Sequence, residues 1–148
     1  VWVWTVIAGT AKPERWNSLY PGDAYVDWVS CGAYNAGGAN WRSLTQATAN
    51  FYSWASTQFV GDRYKPIMLS CTGCVEDPTN PQRKEDWLKS LPAELAAMPQ
   101  IKGVIYWSSK LEGGGGHPLD SSPGAVAGFR AAGLDPHFNP VLSPQKRR

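Results

Sequence analysis

Long apolar runs, a dominant charge and histidine are what this chain has little of. No apolar stretch approaches the roughly 18 residues of a membrane span, so no membrane partner is expected. Fourteen Lys and Arg against twelve Asp and Glu leave a formal net charge of +2. That is too little to suggest nucleic acid, and the basic residues are scattered apart from Lys146-Arg147-Arg148. Residues 141–148 are accordingly expected to form a disordered basic tail. Two histidines, His117 and His137, and three cysteines, Cys31, Cys71 and Cys74, leave few ways to build a metal centre. None of their spacings matches a strong zinc pattern, and no cofactor is expected. Internal repeats and heptads are absent. There is neither an initiator Met nor a signal peptide, and the chain opens inside a strand-like run, so it is expected to be processed or excerpted from something longer.

Aromatic and turn-forming residues are abundant: eight Trp, six Tyr, fifteen Gly and twelve Pro. Such usage suits secreted carbohydrate-active proteins, whose flat rings pack on sugar C–H surfaces, although any single ring is first of all a core candidate. The length suffices for one domain with a real core and is short for two.

Strand and helix signals alternate. Val1 to Ala8 reads as a first strand, followed by a Pro/Gly/Asn-rich connection from Gly9 to Ala24 with too little periodicity for a long helix. Tyr25 to Cys31 reads as a second strand running out into Gly32-Ala33-Tyr34-Asn35. Leu44, Ala47, Phe51, Trp54 and Ala55 fall at helical spacing within Ser43 to Phe59. Pro66 to Cys71 is a third strand. Asn80-Pro81 is an N-cap with a first-turn proline, opening a helix that Pro92 should break or kink. Ile101 to Trp107 is a fourth strand. The glycine loop 112–117 follows it, and Ser122-Pro123 then caps a last helix through Ala132.

Strands joined by helical connections predict an α/β domain with a parallel sheet and right-handed crossovers, either doubly wound or half of a (β/α)8 barrel. The strand ends carry unusual chemistry: Tyr34-Asn35, Cys71-Thr72-Gly73-Cys74 and Trp107-Ser108-Ser109. In Lys65 to Gly73 a proline-started apolar run opens onto a small polar turn and delivers Cys71 to that end. These features favour the barrel.

Tyr20-Pro21-Gly22-Asp23-Ala24-Tyr25-Val26-Asp27-Trp28-Val29, then Gly32-Ala33-Tyr34-Asn35, resembles the sixth-strand region of glycoside hydrolase family 26. This is the β-mannanase family, with some mixed-linkage glucanases and xylanases. The likeness continues through Lys65-Pro66-Ile67-Met68, Val75-Glu76-Asp77-Pro78, Arg83-Lys84-x-x-Trp87, Ile101 to Trp107, and Asp120-Ser121-Ser122-Pro123 into Phe129-Arg130. It implies that residues 1–140 are one half-barrel domain, strands five to eight of the family plan. The half carrying the proton-donor glutamate is not in this chain.

Retaining glycosidases need two carboxyl groups about 5–5.5 Å apart, one as nucleophile and one as acid/base. The resemblance places the nucleophile glutamate on Cys71, so neither carboxylate stands at its expected place. Glu76 and Asp77 match positions outside the catalytic pair and read as loop charges. A Cys71–His117 pair would leave a glycosyl thioether that hydrolyses poorly. Cys71-x-x-Cys74 lacks the helix start of a redox motif, and three cysteines with His117 fit no strong zinc spacing. A disulfide from Cys31 to Cys71 or Cys74 is an alternative.

The resemblance makes Tyr34 the tyrosine beside the nucleophile and Trp107 the floor of the cleft. Trp4, Asn35 and Ser108 are added as candidate sugar contacts. The expected function is a catalytically silent family-26-like domain, a pseudoenzyme, kept for binding β-linked mannan or glucan or as a structural module. The alternatives are a retaining endo-β-mannanase or β-glucanase completed by another half, and a thiol redox or metal protein. Four parallel strands cut from a barrel expose two edges and an unfilled interior. The expected partners are therefore the missing half, a second copy, or a larger assembly such as a phage tail. The expected location is extracellular or on a virion.

Overall fold

The computed structural model describes residues 1–8, 12–111 and 116–140; the predicted tail at 141–148 and most of the glycine loop lie outside them. Four strands, β1 (Val3–Ile7), β2 (Trp28–Asn35), β3 (Ile67–Cys74) and β4 (Ile101–Tyr106), form one sheet in the order β1-β2-β3-β4, every neighbour parallel. The helices are α1 (Pro13–Leu19), α2 (Leu44–Gln58), α3 (Gln82–Ala96) and α4 (Pro123–Leu134). The class is α/β with sequential parallel strands.

Several elements differ in extent from the expectation. The connection after β1 contains α1, a single-sided helix started by Pro13 with Trp16 as its one buried residue, too short to show periodicity. Tyr25 belongs to a tight turn, and β2 runs on through Tyr34 and Asn35, which are strand residues. β3 likewise extends to Cys74. The start of α2 is closed by a capping box: Ser43 Oγ accepts from Gln46 N–H while Gln46 Oε1 accepts from Ser43 N–H. In α3 the N-cap position falls to Pro81, and the expected break at Pro92 does not occur. Pro92 lies within a buried stripe with Leu88, Leu91 and Leu95. Each such leucine contributes about 1.5–3 kcal/mol on burial, enough together to offset an interior proline costing about 3 kcal/mol.

The core lies on one side of the sheet. Val29, Cys31, Ile67 and Leu69 are fully buried there with Leu44, Phe51 and Trp54 of α2 and Trp87, Leu88 and Leu91 of α3. Strand alternation sends the intervening residues to the other face. Thr5 and Ser30 share a hydroxyl hydrogen bond there, and Trp28 and Met68 lie by Gly103. Val3, Ile7 and Ile105 on this face are exposed.

One irregularity changes what that open face carries. Cys31 pairs with Leu69 and Gly32 with Cys71, so Ser70 is an extra residue in β3. Strict alternation from Ile67 and Leu69 would point Cys71 into the core. The bulge shifts it to the open face, and returns Thr72 and Cys74 to the buried one.

Helices α3 and α4 approach closely because α4 presents Ala125, Gly128 and Ala132 to the interface. A Cβ on Gly128 would lie 2.7 Å from the Glu85 carbonyl oxygen and 3.1 Å from Leu88 Cβ. Gly133 in the same helix has nothing within 4 Å. In urea unfolding, Gly128→Leu should therefore lose about 1–3 kcal/mol by overpacking. Gly133→Ala should gain up to about 1 kcal/mol from helix propensity. Equal effects at the two positions would refute this account of the packing.

Candidate functional site at the carboxyl edge

Three strand ends converge on the open face. Tyr34 comes from the end of β2, Cys71 from just past the bulge of β3, and Trp107 directly follows β4. The Tyr34 hydroxyl donates a hydrogen bond to Cys71 Sγ, and Trp107 N–H donates to Thr72 O at 2.8 Å, extending the ladder one residue past β4. The Tyr34 and Trp107 rings meet edge to face, centroids 5.8 Å apart at 74°. Burial, together with the bond to Cys71, pushes the Tyr34 hydroxyl up to about 12, so it stays protonated and remains a donor.

A fourth member is His117, weighed in the sequence as a partner for Cys71 and as a zinc ligand with the cysteines. It stacks on Tyr34 with centroids 4.9 Å apart at 31°, and lies 5.6 Å from Trp107 at 45°. Gly73 makes this possible: a Cβ there would lie 2.7 Å from both Cβ and Cγ of His117. The sequence signal was Cys71-x-Gly73, a glycine two residues after the delivered side chain, which marks close approach of another group.

The segment carrying His117 is fastened from below. Lys84 on α3 is fully buried; its Nζ donates to Pro118 O at 2.7 Å and Ser121 Oγ at 2.8 Å and lies 3.9 Å from Glu76 Oε1. Glu76 also accepts from Ser121 and Ser122 at 2.5 and 2.9 Å. Asp77 is held by Thr79 and by Arg83 at 2.9 Å, and these bonds pull its carboxyl down to about 2. Arg83 in turn lies over the Trp41 ring, 4.3 Å from its centroid. Both acids nearest the site in sequence are thus engaged in holding loops.

The other expected contacts separate from this group. Trp4 is a correction: it sits near the start of β1, on the helix side, 5.3 Å from Tyr20 and 6.0 Å from Trp54. The run around it, apolar except for Thr5, contains no regular alternation from which its face could be read. Asn35 is a second correction. It is fully buried, with Oδ1 accepting from Gly37 and Arg42 N–H at 3.2 Å each, so it braces the turn after β2. Ser108 is exposed near Trp107, with Oγ accepting from Leu119 N–H at 3.0 Å.

The cysteines are also rearranged. All three are free thiols, and the alternative of a Cys31 bridge is not realised. Cys31 lies opposite Leu69 and faces the core, whereas Cys71 faces away from it. Cys74, opposite Asn35, is again on the core side, so the two cysteines of Cys71-x-x-Cys74 point to opposite faces of β3. Burial pushes the Cys31 and Cys74 thiols up to about 12. Among the described residues no group of three or more His, Cys, Asp or Glu is arranged to hold a metal ion, and no helix is long and apolar enough to cross a membrane.

No known family model matches the chain, and no curated protein matches it.

These placements predict the thiol chemistry. At mildly alkaline pH, iodoacetamide should modify Cys71 first in the folded protein, with Cys31 and Cys74 reacting only after unfolding. Peptide mass mapping reads the outcome; early modification of Cys31 or Cys74 would contradict the assigned faces.

Proposed function

We propose that this chain is the carboxyl-terminal half of a (β/α)8 barrel like that of glycoside hydrolase family 26, silent in hydrolysis, which binds a β-linked glycan at the rim formed by Tyr34, Trp107 and their neighbours. The observation that carries this reading is the clustering of Tyr34, Trp107 and His117 around Cys71 at the carboxyl ends of parallel strands. Ligands of α/β proteins bind at that end, and aromatic faces with a few polar groups suffice to hold a sugar.

Support for silence comes from the carboxylates. Retaining hydrolysis needs two, about 5–5.5 Å apart. A thiol hydrogen-bonded to Tyr34 stands where the resemblance would put the nucleophile, while Glu76 and Asp77 are tied to Ser121, Ser122, Lys84, Thr79 and Arg83. The opposed faces of Cys71 and Cys74 weigh against a dithiol redox centre.

Support for a half barrel comes from sequential parallel strands, one helix-covered face, and an opposite face on which Val3, Ile7 and Ile105 are exposed. Such a face calls for cover, by a complementary half, a second copy or a larger assembly such as a phage tail. A polysaccharide ligand places the protein outside the cell or on a virion surface.

Incubation with mannan and mixed-linkage glucan should release no reducing ends; release above a heat-denatured control would favour the hydrolase alternative instead. Manno- or gluco-oligosaccharides should change Trp fluorescence, and Trp107→Ala should weaken the affinity about tenfold or more, as expected for loss of a stacking ring. No response to either series in the intact protein would refute glycan binding.

A further inference from the structure

His117 is built into the site in a way that stacking alone does not require. The residue is 8 % exposed, and its Nδ1 is shut off from solvent with no hydrogen-bond partner among the described residues. A buried ring nitrogen without a partner is tolerable while the imidazole is neutral and costly once it carries a charge. Its backbone is fixed, His117 N–H donating to Ser109 O at 2.9 Å beside the Lys110–Gly116 bridge.

Among the described residues, the charged and titratable groups around it offer a new cation no compensation. From α3 comes the buried Lys84 ammonium, whose charge acts against protonation of His117. Tyr34 from β2 and Cys71 from β3 are occupied with one another through the hydroxyl–thiol bond. Glu76, between β3 and α3, is turned to Lys84, Ser121 and Ser122, and Asp120 and Lys110 are exposed. Against this stands the ring stack with Tyr34 and Trp107, which could hold an imidazolium by cation–π attraction.

We propose that His117 is a proton-operated cover of the aromatic site: neutral, its ring lies on Tyr34 and against Trp107; protonated, it leaves them and bares their faces to a sugar. The glycan part of this statement rests on the binding function proposed above, whereas the displacement of the ring does not. Burial, and next the Lys84 charge, lower the pKa of His117 below its ordinary 6.5. The sign follows. A displaced, solvated imidazole binds the proton at higher pH than the stacked one, so the covered state is fully favoured above about pH 6.5 and loses ground as pH falls below it. The same proton that drives the ring out opens Tyr34, so glycan affinity rises on acidification.

The test uses the whole chain with ¹³C-labelled histidine and ¹⁵N-labelled tryptophan, titrated from about pH 8 to about pH 5. With only two histidines, His137→Asn assigns the resonances, and Trp107→Phe assigns the indole N–H signal. His117 should titrate below its ordinary midpoint, and the Trp107 signal should move with the same midpoint. Mannohexaose affinity should increase on acidification, about tenfold for each unit separating the stacked and displaced pKa values. His117→Gln and His117→Phe, neither of which ionises in this range, should remove both the Trp107 step and the pH dependence of affinity.

A Trp107 signal indifferent to the His117 titration would overturn the displacement. So would persistence of the step in both variants. Affinity that is flat or falls on acidification, while His117 and Trp107 titrate together, would overturn the cover. If no oligosaccharide binds at any pH yet His117 and Trp107 titrate together, the ring displacement stands and the glycan reading fails.

Discussion

The extra residue at Ser70 is the constraint on which the chemistry of this molecule depends. A parallel strand whose first residues are buried by helices sends every second side chain into the core, and β3 follows that rule through Ile67 and Leu69. One inserted residue reverses the phase. Cys71 then lies opposite Gly32 on the open face and receives the Tyr34 hydroxyl, while Gly73 leaves room for His117. Thr72 and Cys74 fall back to the core side, where Thr72 Oγ1 donates to Ala33 O at 2.6 Å. A site on one face and a sealed core on the other thus come from the same local irregularity.

The loops that complete the site are held by polar groups of α3 and the segment before it. Lys84 is buried because three oxygens, from Pro118, Ser121 and Glu76, surround its ammonium. A buried ammonium without such partners would cost several kcal/mol. Arg83, one residue earlier, binds Asp77 and lies over the Trp41 ring. Adjacent basic residues therefore secure three loops, Arg83 those after β2 and β3 and Lys84 those after β3 and β4.

Much of the secondary structure was readable in the sequence because it depends on local patterns. The apolar spacing within residues 43–59 describes α2 closely, and Ser122-Pro123 marks the start of α4, where Ser122 Oγ accepts from Ala125 N–H at 3.1 Å. Misreadings arose where long-range packing outweighs local preference. Pro92 stays helical because its neighbours Leu88, Leu91 and Leu95 are buried together. Tyr34 and Asn35 remain in β2 because β3 continues beside them as far as Cys74. Trp4, in a run without regular alternation, joined the aromatic core with Tyr20 and Trp54, since the large buried surface lies on the helix side.

By itself, the amino-acid sequence determined the alternation of strands and helices, and with it a parallel α/β sheet whose carboxyl edge carries Tyr34, Cys71 and Trp107. Those are properties of residue order, and chain topology brings sequential parallel strand ends to one side without further information. Only the tertiary structure decided which face each of these residues joins. It withdrew Trp4 and Asn35 from the site, separated Cys71 from Cys31 and Cys74, and brought in His117 from a distant loop. The physical reason is that face and register depend on pairing between strands far apart in sequence, where one inserted residue reverses a side chain's direction.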